Sequence, residues 1–158
     1  MPELPLTNLR VVEIGSGDAL AYCGKLFSDF GAEVIKIEPP GGDPARRIAP
    51  TVNAGSGREE SAYFAWLNTN KQSVTADLDN RTDTERVRAM LSGADLLLDA
   101  RAPDIIENSL LKHSDLRAAD PALAITAISW FGEHGPYRDY ATTDSVCRSL
   151  AGLVKLVG

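Results

Sequence analysis

The sequence predicts an α/β fold, an open and mainly parallel sheet with helices on both faces. Five short apolar runs alternate with segments of helical periodicity along the 158 residues. The first two runs and the helical pattern between them occupy about 30 residues, the length of a βαβ unit. The fourth run, residues 94–98, is apolar apart from Asp95, which is typical of a strand buried on both faces.

The first strand is predicted at residues 9–14 and ends at Gly15. Apolar residues then recur at helical spacing up to Gly31, a typical helix stop: they are Leu20, Cys23, Leu26, Phe27 and Phe30. A second strand is predicted at residues 34–37, before two prolines. Residues 41–61 are rich in glycine, proline and arginine and predict a long surface loop, the kind of segment that often carries function.

The second half of the chain repeats the alternation. Asn80 is expected to cap a helix that runs to about residue 91, with Gly93 as its stop. The remaining predicted elements are a short helix at 62–68, strands at 74–78, 94–98 and 123–129, a polar helical piece within 110–119, and a last helix at 143–157. The alternation continues to the end and predicts one open sheet.

Composition excludes several classes of protein. Acidic residues number 22 and basic residues 16, a net charge of −6, so the chain lacks the basic footprint of a nucleic-acid-binding protein. Two cysteines are too few for a disulfide framework. No apolar run reaches the roughly 18 residues of a membrane span, and the N-terminus does not resemble a signal peptide. We therefore expect a cytoplasmic protein without nucleic-acid or membrane partners.

Some residues suggest ligand binding, each with an ordinary structural alternative. Residues 15–17, Gly-Ser-Gly, could place a phosphate at a helix N-terminus, but the third glycine of GxGxxG is replaced by Leu20, so a tight turn is favoured. Arg46 and Arg47 suit either a phosphate-rich ligand or solvent. His134 fits a solvent-exposed loop and His113 a surface position. The histidine and cysteine spacing predicts no metal site.

Residues 129–145 form the densest cluster of candidate functional residues. They follow a buried strand, and ligands of open α/β sheets collect outside the carboxyl ends of strands. The cluster ends at Asp144, which is either a nucleophile or a carboxylate that interacts with a helix dipole. Lys71, in the segment Asn-Thr-Asn-Lys, could bind phosphate or belong to a turn before a strand.

Taken in order, these segments resemble the family III CoA-transferases, which include formyl-CoA and carnitine CoA-transferases and α-methylacyl-CoA racemase. The resemblance runs through LRVVEIG, GAEVIKIEPPGGDPAR, NTNKQSVTADL and DPALAITAISWFGEHGPYRDY to Asp144 and SLAGLVKLVG. It implies a Rossmann-like large domain, of which residues 1–158 would be the N-terminal part. The remainder, with a smaller domain, would lie outside this chain. The resemblance also implies a homodimer, because members of the family interlock in pairs.

A reaction and its residues follow from the same resemblance. CoA would pass between an acyl-CoA and a carboxylic acid through an anhydride and a thioester of the catalytic aspartate, which matches Asp144. Coenzyme A, as the acyl-CoA substrate, would be contacted by basic and aromatic side chains. The predicted contacts are Lys36, Lys71, Tyr137, the loop residues Arg46 and Arg47, and Arg101 after the fourth strand.

Departures from the family pattern leave other functions open. The racemases carry a histidine directly before the aspartate, where this chain has Thr143, so transferase chemistry is favoured. The loop after the fourth strand has lost an asparagine and an aromatic residue and gained Asp104, which suggests a degenerate, non-catalytic domain as an alternative. A dinucleotide-binding domain is the third interpretation, with Glu38 placed to bind a ribose.

Overall fold

The computed structural model describes residues 4–53, 55, 59–140 and 142–157. Its centre is a five-stranded, fully parallel sheet in the order β5-β2-β1-β6-β7. The strands are β1 (Arg10–Ile14), β2 (Glu33–Glu38), β5 (Gln72–Thr75), β6 (Leu96–Asp99) and β7 (Ala124–Ala127). The predicted open parallel sheet is confirmed. An antiparallel pair, β3 (Thr51–Asn53) and β4 (Glu59–Ser61), lies apart from it.

Helices cover both faces of the sheet, which is why its central strands β1, β2 and β6 are buried and mainly apolar. On one face, α1 (Asp18–Asp29) packs Leu20 against Val11, Val34 and Leu98. On the other face, α3 (Arg81–Leu91) and α5 (His113–Ala119) pack against the alternate residues of the same strands. Because successive side chains of a strand point to opposite faces, neighbouring apolar residues of β1 serve the two layers.

Several element boundaries follow local signals in the sequence. The side chain of Asn80 accepts hydrogen bonds from the backbone N–H groups of Thr82 and Asp83 and so caps α3, as predicted. Ser61 likewise caps α2 (Ala62–Leu67). One helix was not predicted, α4 (Pro103–Asn108), although Pro103 at its first turn is a recognised start signal.

Two sequence predictions need correction. The loop at 41–61 contains a 3₁₀ helix, Pro44–Arg47, and the β3–β4 hairpin. The helix predicted at 143–157 is divided into α6 (Asp144–Leu150) and α7 (Leu153–Val157). Gly152 takes a φ of 76°, a left-handed conformation that ends a helix, so apolar periodicity continues across a break in the backbone.

The last two helices expose much of their apolar surface. Leu150 is 71% and Leu156 81% exposed, and Val146, Leu153 and Val154 are also exposed. Isolated exposed apolar residues are common, but a contiguous group marks a surface that packs against something else. Within the described residues, no helix is long and apolar enough to cross a membrane.

Candidate functional site

A cleft of about 330 Å³ opens where the strands β1, β2, β5 and β6 end. It lies at the switch point of the sheet, because β1 has β2 on one side and β6 on the other. Its walls come from the turns that follow the strands. The lining residues are Ile14, Gly15, Ser16, Ile37, Pro39, Pro44, Ala76, Asp77, Leu78, Asp79 and Arg101.

Gly15 is required for the shape of this cleft. Its φ is 108°, and a Cβ at this position would lie 3.0 Å from the carbonyl carbon of Ala100. The turn after β1 and the turn after β6 therefore touch, and a larger residue would separate them. The glycine turn thus has a packing reason of its own, as the sequence pattern favoured.

Lys36 and Lys71, both predicted to bind CoA, lie in a buried cluster of charges. The Nζ atoms of Lys36 and Lys71 are each 2.8 Å from one of the two carboxylate oxygens of Glu13. Lys36 also pairs with Asp43 at 2.9 Å, and Lys71 donates to the carbonyl of Ala21 at 2.7 Å. The two lysine side chains are only 1% and 2% exposed. Their role in binding CoA stays a prediction.

Glu13 is the centre of this cluster, and its only sign in the sequence is a carboxylate within an apolar strand. A Cβ on Gly24 of α1 would collide with its Oε2 atom, so the helix makes room for the buried carboxylate. Burial alone would lower the pKa of Lys36, but Glu13 and Asp43 raise it above its ordinary value. The cluster joins β1, β2 and the segment before β5.

Arg46 forms a second ion pair, with Glu38 at the end of β2. Its Nε and Nη2 atoms donate to the two oxygens of Glu38, at 2.6 and 2.7 Å, and its guanidinium carbon lies 3.9 Å from the centroid of the Phe64 ring. The side chain remains 44% exposed. Arg47 donates to the carbonyl of Gly41 at 3.1 Å. Both arginines are therefore held by contacts within this chain, and their contact with CoA stays a prediction.

Both carboxylate oxygens of Glu38 accept hydrogen bonds from donors of this chain. Besides Arg46 it accepts from the hydroxyl of Ser73 and from the backbone N–H of Asp43. Burial would raise the pKa of Glu38, but the hydrogen bonds from Arg46, Ser73 and the Asp43 backbone lower it to about 2. Both oxygens are thus occupied, and neither is placed to receive the ribose of a dinucleotide.

The Glu38 cluster predicts a specific acid sensitivity. A carboxylate with a lowered pKa stabilises the fold above its ordinary pKa, and that stability is lost as the pH falls from 4.5 toward 2. We expect a loss of about 2 kcal/mol over this range, less than full conversion of the shift because the exposed Arg46 is screened. Urea unfolding at several pH values would measure it.

Glu38→Gln should remove that part of the pH dependence. Glu85→Gln is the matched control, because Glu85 is 61% exposed and its ion pair is with Arg81 on the same helix, α3. If both variants keep the acid dependence of the unsubstituted protein, the stabilising role of the Glu38 pair is wrong.

Arg101 lines the cleft and forms an ion pair with Asp99. Asp99 accepts from the backbone N–H, Nε and Nη2 of Arg101, the last at 2.6 Å. Arg101 also donates to Ser109 and to the carbonyl of Leu111. Its side chain is 7% exposed, so its guanidinium stays beside the cleft in a set position. Contact between Arg101 and CoA stays a prediction.

His113 corrects the sequence interpretation, which placed it at the surface. It is 7% exposed, and its Nε2 lies 3.1 Å from Asp99 Oδ2 and its Nδ1 3.1 Å from Glu133 Oε1. A second cavity, of about 440 Å³, adjoins it. A histidine at the start of a short polar helix carries no periodicity, so nothing in the sequence distinguished burial from exposure.

Tyr137 and Asp144 lie outside the residues that line the two cavities. Tyr137 is 56% exposed and packs edge-on against Tyr140, with ring centroids 5.2 Å apart. Asp144 is the first residue of α6, its side chain is 65% exposed, and its Oδ2 accepts from Arg148 Nε at 2.6 Å. In the described chain its surroundings are those of a helix-end carboxylate in solvent, and its catalytic role stays a prediction.

The comparisons with known proteins identify the family. The family model described as CoA-transferase family III matches residues 6–158. The chain belongs to CoA-transferase family III. The resemblance seen in the ordered segments of the sequence is thereby confirmed, and the membership accounts for the parallel sheet.

Relatives in this family share the fold over almost the whole chain. A succinyl-CoA–D-citramalate CoA-transferase of Chloroflexus aurantiacus is 37% identical, over 99% of this chain and 38% of that protein. A CAIB/BAIF family protein from Brucella suis matches with a TM-score of 0.89 and 32% identity, over 95% of this chain and 40% of that chain. Rv3272 from Mycobacterium tuberculosis matches with a TM-score of 0.86 and 33% identity, over 97% and 42%.

The chain therefore spans about two fifths of the length of these family III proteins. Among the described residues of this family member, no group of three or more histidine, cysteine, aspartate or glutamate side chains is placed to hold a metal ion. This part of the family fold contains a cleft at the carboxyl ends of the strands, basic side chains that are paired with carboxylates, and an exposed apolar surface on α6 and α7.

Proposed function

We propose that this chain is the N-terminal part of a CoA-transferase, an enzyme that moves CoA between an acyl-CoA and a carboxylic acid. The match to the family over residues 6–158 carries the proposal. The succinyl-CoA–D-citramalate transferase and a succinate–glutarate transferase from Agrobacterium fabrum support the substrate class, an acyl-CoA and an organic acid. The cleft at the sheet edge is the candidate place for the CoA moiety.

The charges around the cleft favour one orientation of that ligand. Arg101 and the turn after β1 lie on one side, whereas Asp77 and Asp79 lie on the other. The phosphates of CoA would meet repulsion near the two aspartates. We infer that they lie toward Arg101, which is held in place by its ion pair with Asp99.

The transfer itself is proposed to proceed through an aspartyl carboxylate. The carboxylate attacks the thioester carbonyl of the donor, the C–S bond breaks, and the CoA thiolate leaves a mixed anhydride. The thiolate then attacks the aspartyl carbonyl, releasing the donor acid and leaving an aspartyl-CoA thioester. The acceptor carboxylate attacks that thioester and displaces the thiolate. The thiolate finally attacks the acceptor's acyl carbonyl, which gives the new acyl-CoA and the free aspartate.

Asp144 is the candidate in this chain for that carboxylate, by its match to the family pattern. The scheme needs a carboxylate in a dry pocket with N–H groups facing the oxyanion. Asp144 is exposed and paired with Arg148, so the walls of such a pocket would have to come from residues beyond this chain or from a second subunit. The exposed apolar surface of α6 and α7 is the face on which we propose that they pack.

A non-catalytic CoA-transferase-like domain is the second candidate. The observation that favours it is that Lys36, Lys71 and Arg101 are all committed to internal carboxylates. Calorimetric titration of CoA into the protein, with NAD as the control ligand, separates these possibilities. Saturable binding of CoA but not NAD is expected. Binding of neither would favour the non-catalytic domain, and preference for NAD would favour a dinucleotide site.

The role of Asp144 is tested in the longer protein that carries this chain. Incubation with an acyl-CoA, trapping with hydroxylamine and peptide mass spectrometry locate the carboxylate that forms the thioester. A hydroxamate on Asp144, lost in Asp144→Asn together with turnover, is the expected result. A hydroxamate on another aspartate, with normal turnover of Asp144→Asn, would keep the transferase proposal and assign its nucleophile elsewhere.

A further inference from the structure

His113 lies between two carboxylates from separate parts of the chain. Asp99 is the last residue of β6, and Glu133 belongs to the segment that follows β7. The ring nitrogens of His113 are each 3.1 Å from a carboxylate oxygen, Nε2 from Asp99 and Nδ1 from Glu133. The ring therefore links the carboxyl end of β6 to the segment that follows β7.

The two contacts require a particular protonation state. A neutral imidazole has one N–H and one lone pair, so it can donate to only one of two carboxylates. Burial would raise the pKa of Asp99, but hydrogen bonds from His113 and Arg101 hold it below its ordinary value. Asp99 is therefore ionised at neutral pH, and both contacts are hydrogen bonds only when the ring is an imidazolium.

Charged groups of both signs face the ring. Arg101 shares Asp99 with it, and the adjoining cavity is lined by Glu107 of α4, Lys112 and Arg117 beside or within α5, and His134. Glu107 is occupied by Arg138 at 3.0 Å. The carboxylates in direct contact with the ring are Asp99 and Glu133, of which Glu133 has no described side-chain partner besides His113.

We propose that His113, as an imidazolium, is a positioning residue that fastens segment 129–140 to the end of β6, and that loss of one ring proton releases Glu133. The segment carries Tyr137 and leads to α6. Its other described side-chain tie to the body of the domain is the ion pair between Arg138 and Glu107, whose carboxylate is 62% exposed. The fastening stands on the bridge geometry and is independent of the proposed transferase activity.

Nitrogen-15 NMR of the imidazole rings tests the fastening directly. The chain has two histidines, so His134→Gln leaves a single ring to observe. At about pH 6 both nitrogens of His113 should show the similar shifts of an imidazolium. As the pH is raised and the ring loses a proton, the protection factors of the amides in 129–140, which compare the measured exchange with the intrinsic rate at the same pH, should fall on the order of tenfold.

Glu133→Gln is the variant that separates positioning from simple folding. The side-chain amide that it introduces can donate to a neutral ring, so the segment should stay ordered after deprotonation, and the pH dependence of its protection factors should disappear. Since Glu133 is partly exposed, this variant is expected to fold. The proposal is overturned by a neutral ring at about pH 6, or by protection factors in 129–140 that do not change with the protonation state of the ring in the unsubstituted protein.

Discussion

Glu13→Gln is expected to lower the free energy of unfolding by about 3–5 kcal/mol, the usual cost of breaking a buried ion pair from one side. Glu13 is 0% exposed and is the carboxylate partner of Lys71. Lys36 would keep Asp43, but Lys71 would keep only neutral acceptors, the backbone carbonyl of Ala21 and the side-chain carbonyl of Asn68. A buried ammonium would then lack a counter-charge.

Urea unfolding followed by circular dichroism measures this loss. Glu33→Gln is the matched control, since Glu33 pairs with Arg10 at 3.4 Å with both side chains more than a third exposed. It should cost less than about 1 kcal/mol. The double change Glu13→Gln with Lys71→Met should recover part of the stability, because it also removes the unpaired charge. Equal losses for Glu13→Gln and Glu33→Gln would contradict a stabilising role for the buried cluster.

Asp99→Asn is expected to have an effect of similar size at the opposite side of β1. Arg101 Nη2 and His113 Nε2 both donate toward one carboxylate oxygen of Asp99. The amide nitrogen of the substituted side chain is itself a donor, so it could not accept from them at that position. The buried guanidinium would lose its counter-charge, which typically costs about 3–5 kcal/mol. The unfolding free energy should fall accordingly, and the amides that follow Arg101 should exchange faster.

Asp95→Asn on the same segment is its control. Asp95 is exposed, and its side chain accepts one hydrogen bond, from the backbone N–H of Arg10 at 2.8 Å. Asparagine keeps a carbonyl oxygen that can accept this bond, so the change should cost no more than about 1 kcal/mol. If Asp99→Asn unfolds at the same urea concentration as Asp95→Asn, the network around Arg101 contributes little to stability.

The apolar pattern was sufficient to predict the sheet and most of its helices. The central strands β1, β2 and β6 are buried on both faces, so their mainly apolar runs are easily recognised, and Asn80 marks the start of α3 by a local hydrogen bond. The break at Gly152 and the helix at Pro103 were missed because a single residue decides each of them. Basic residues that could bind CoA were predicted from the sequence, but the carboxylates with which they pair were not.

Which charges meet depends on contacts between residues far apart in sequence. Lys36 and Lys71 are residues of a type that binds phosphate, yet both side chains are buried against Glu13. Glu13 is 23 residues from Lys36 and 58 residues from Lys71 in the sequence. His113 has the context of a surface residue, yet packing brings Asp99 and Glu133 to its two nitrogens.

The sequence by itself determined the fold class, which follows from the order and spacing of apolar and turn residues, and it indicated the family through the resemblance of its ordered segments to family III CoA-transferases. Only the tertiary structure decided which charged side chains face the cleft and which neutralise one another in the interior. The physical reason is that a buried charge must find an opposite charge within hydrogen-bond distance, and chain topology sets which ones are near.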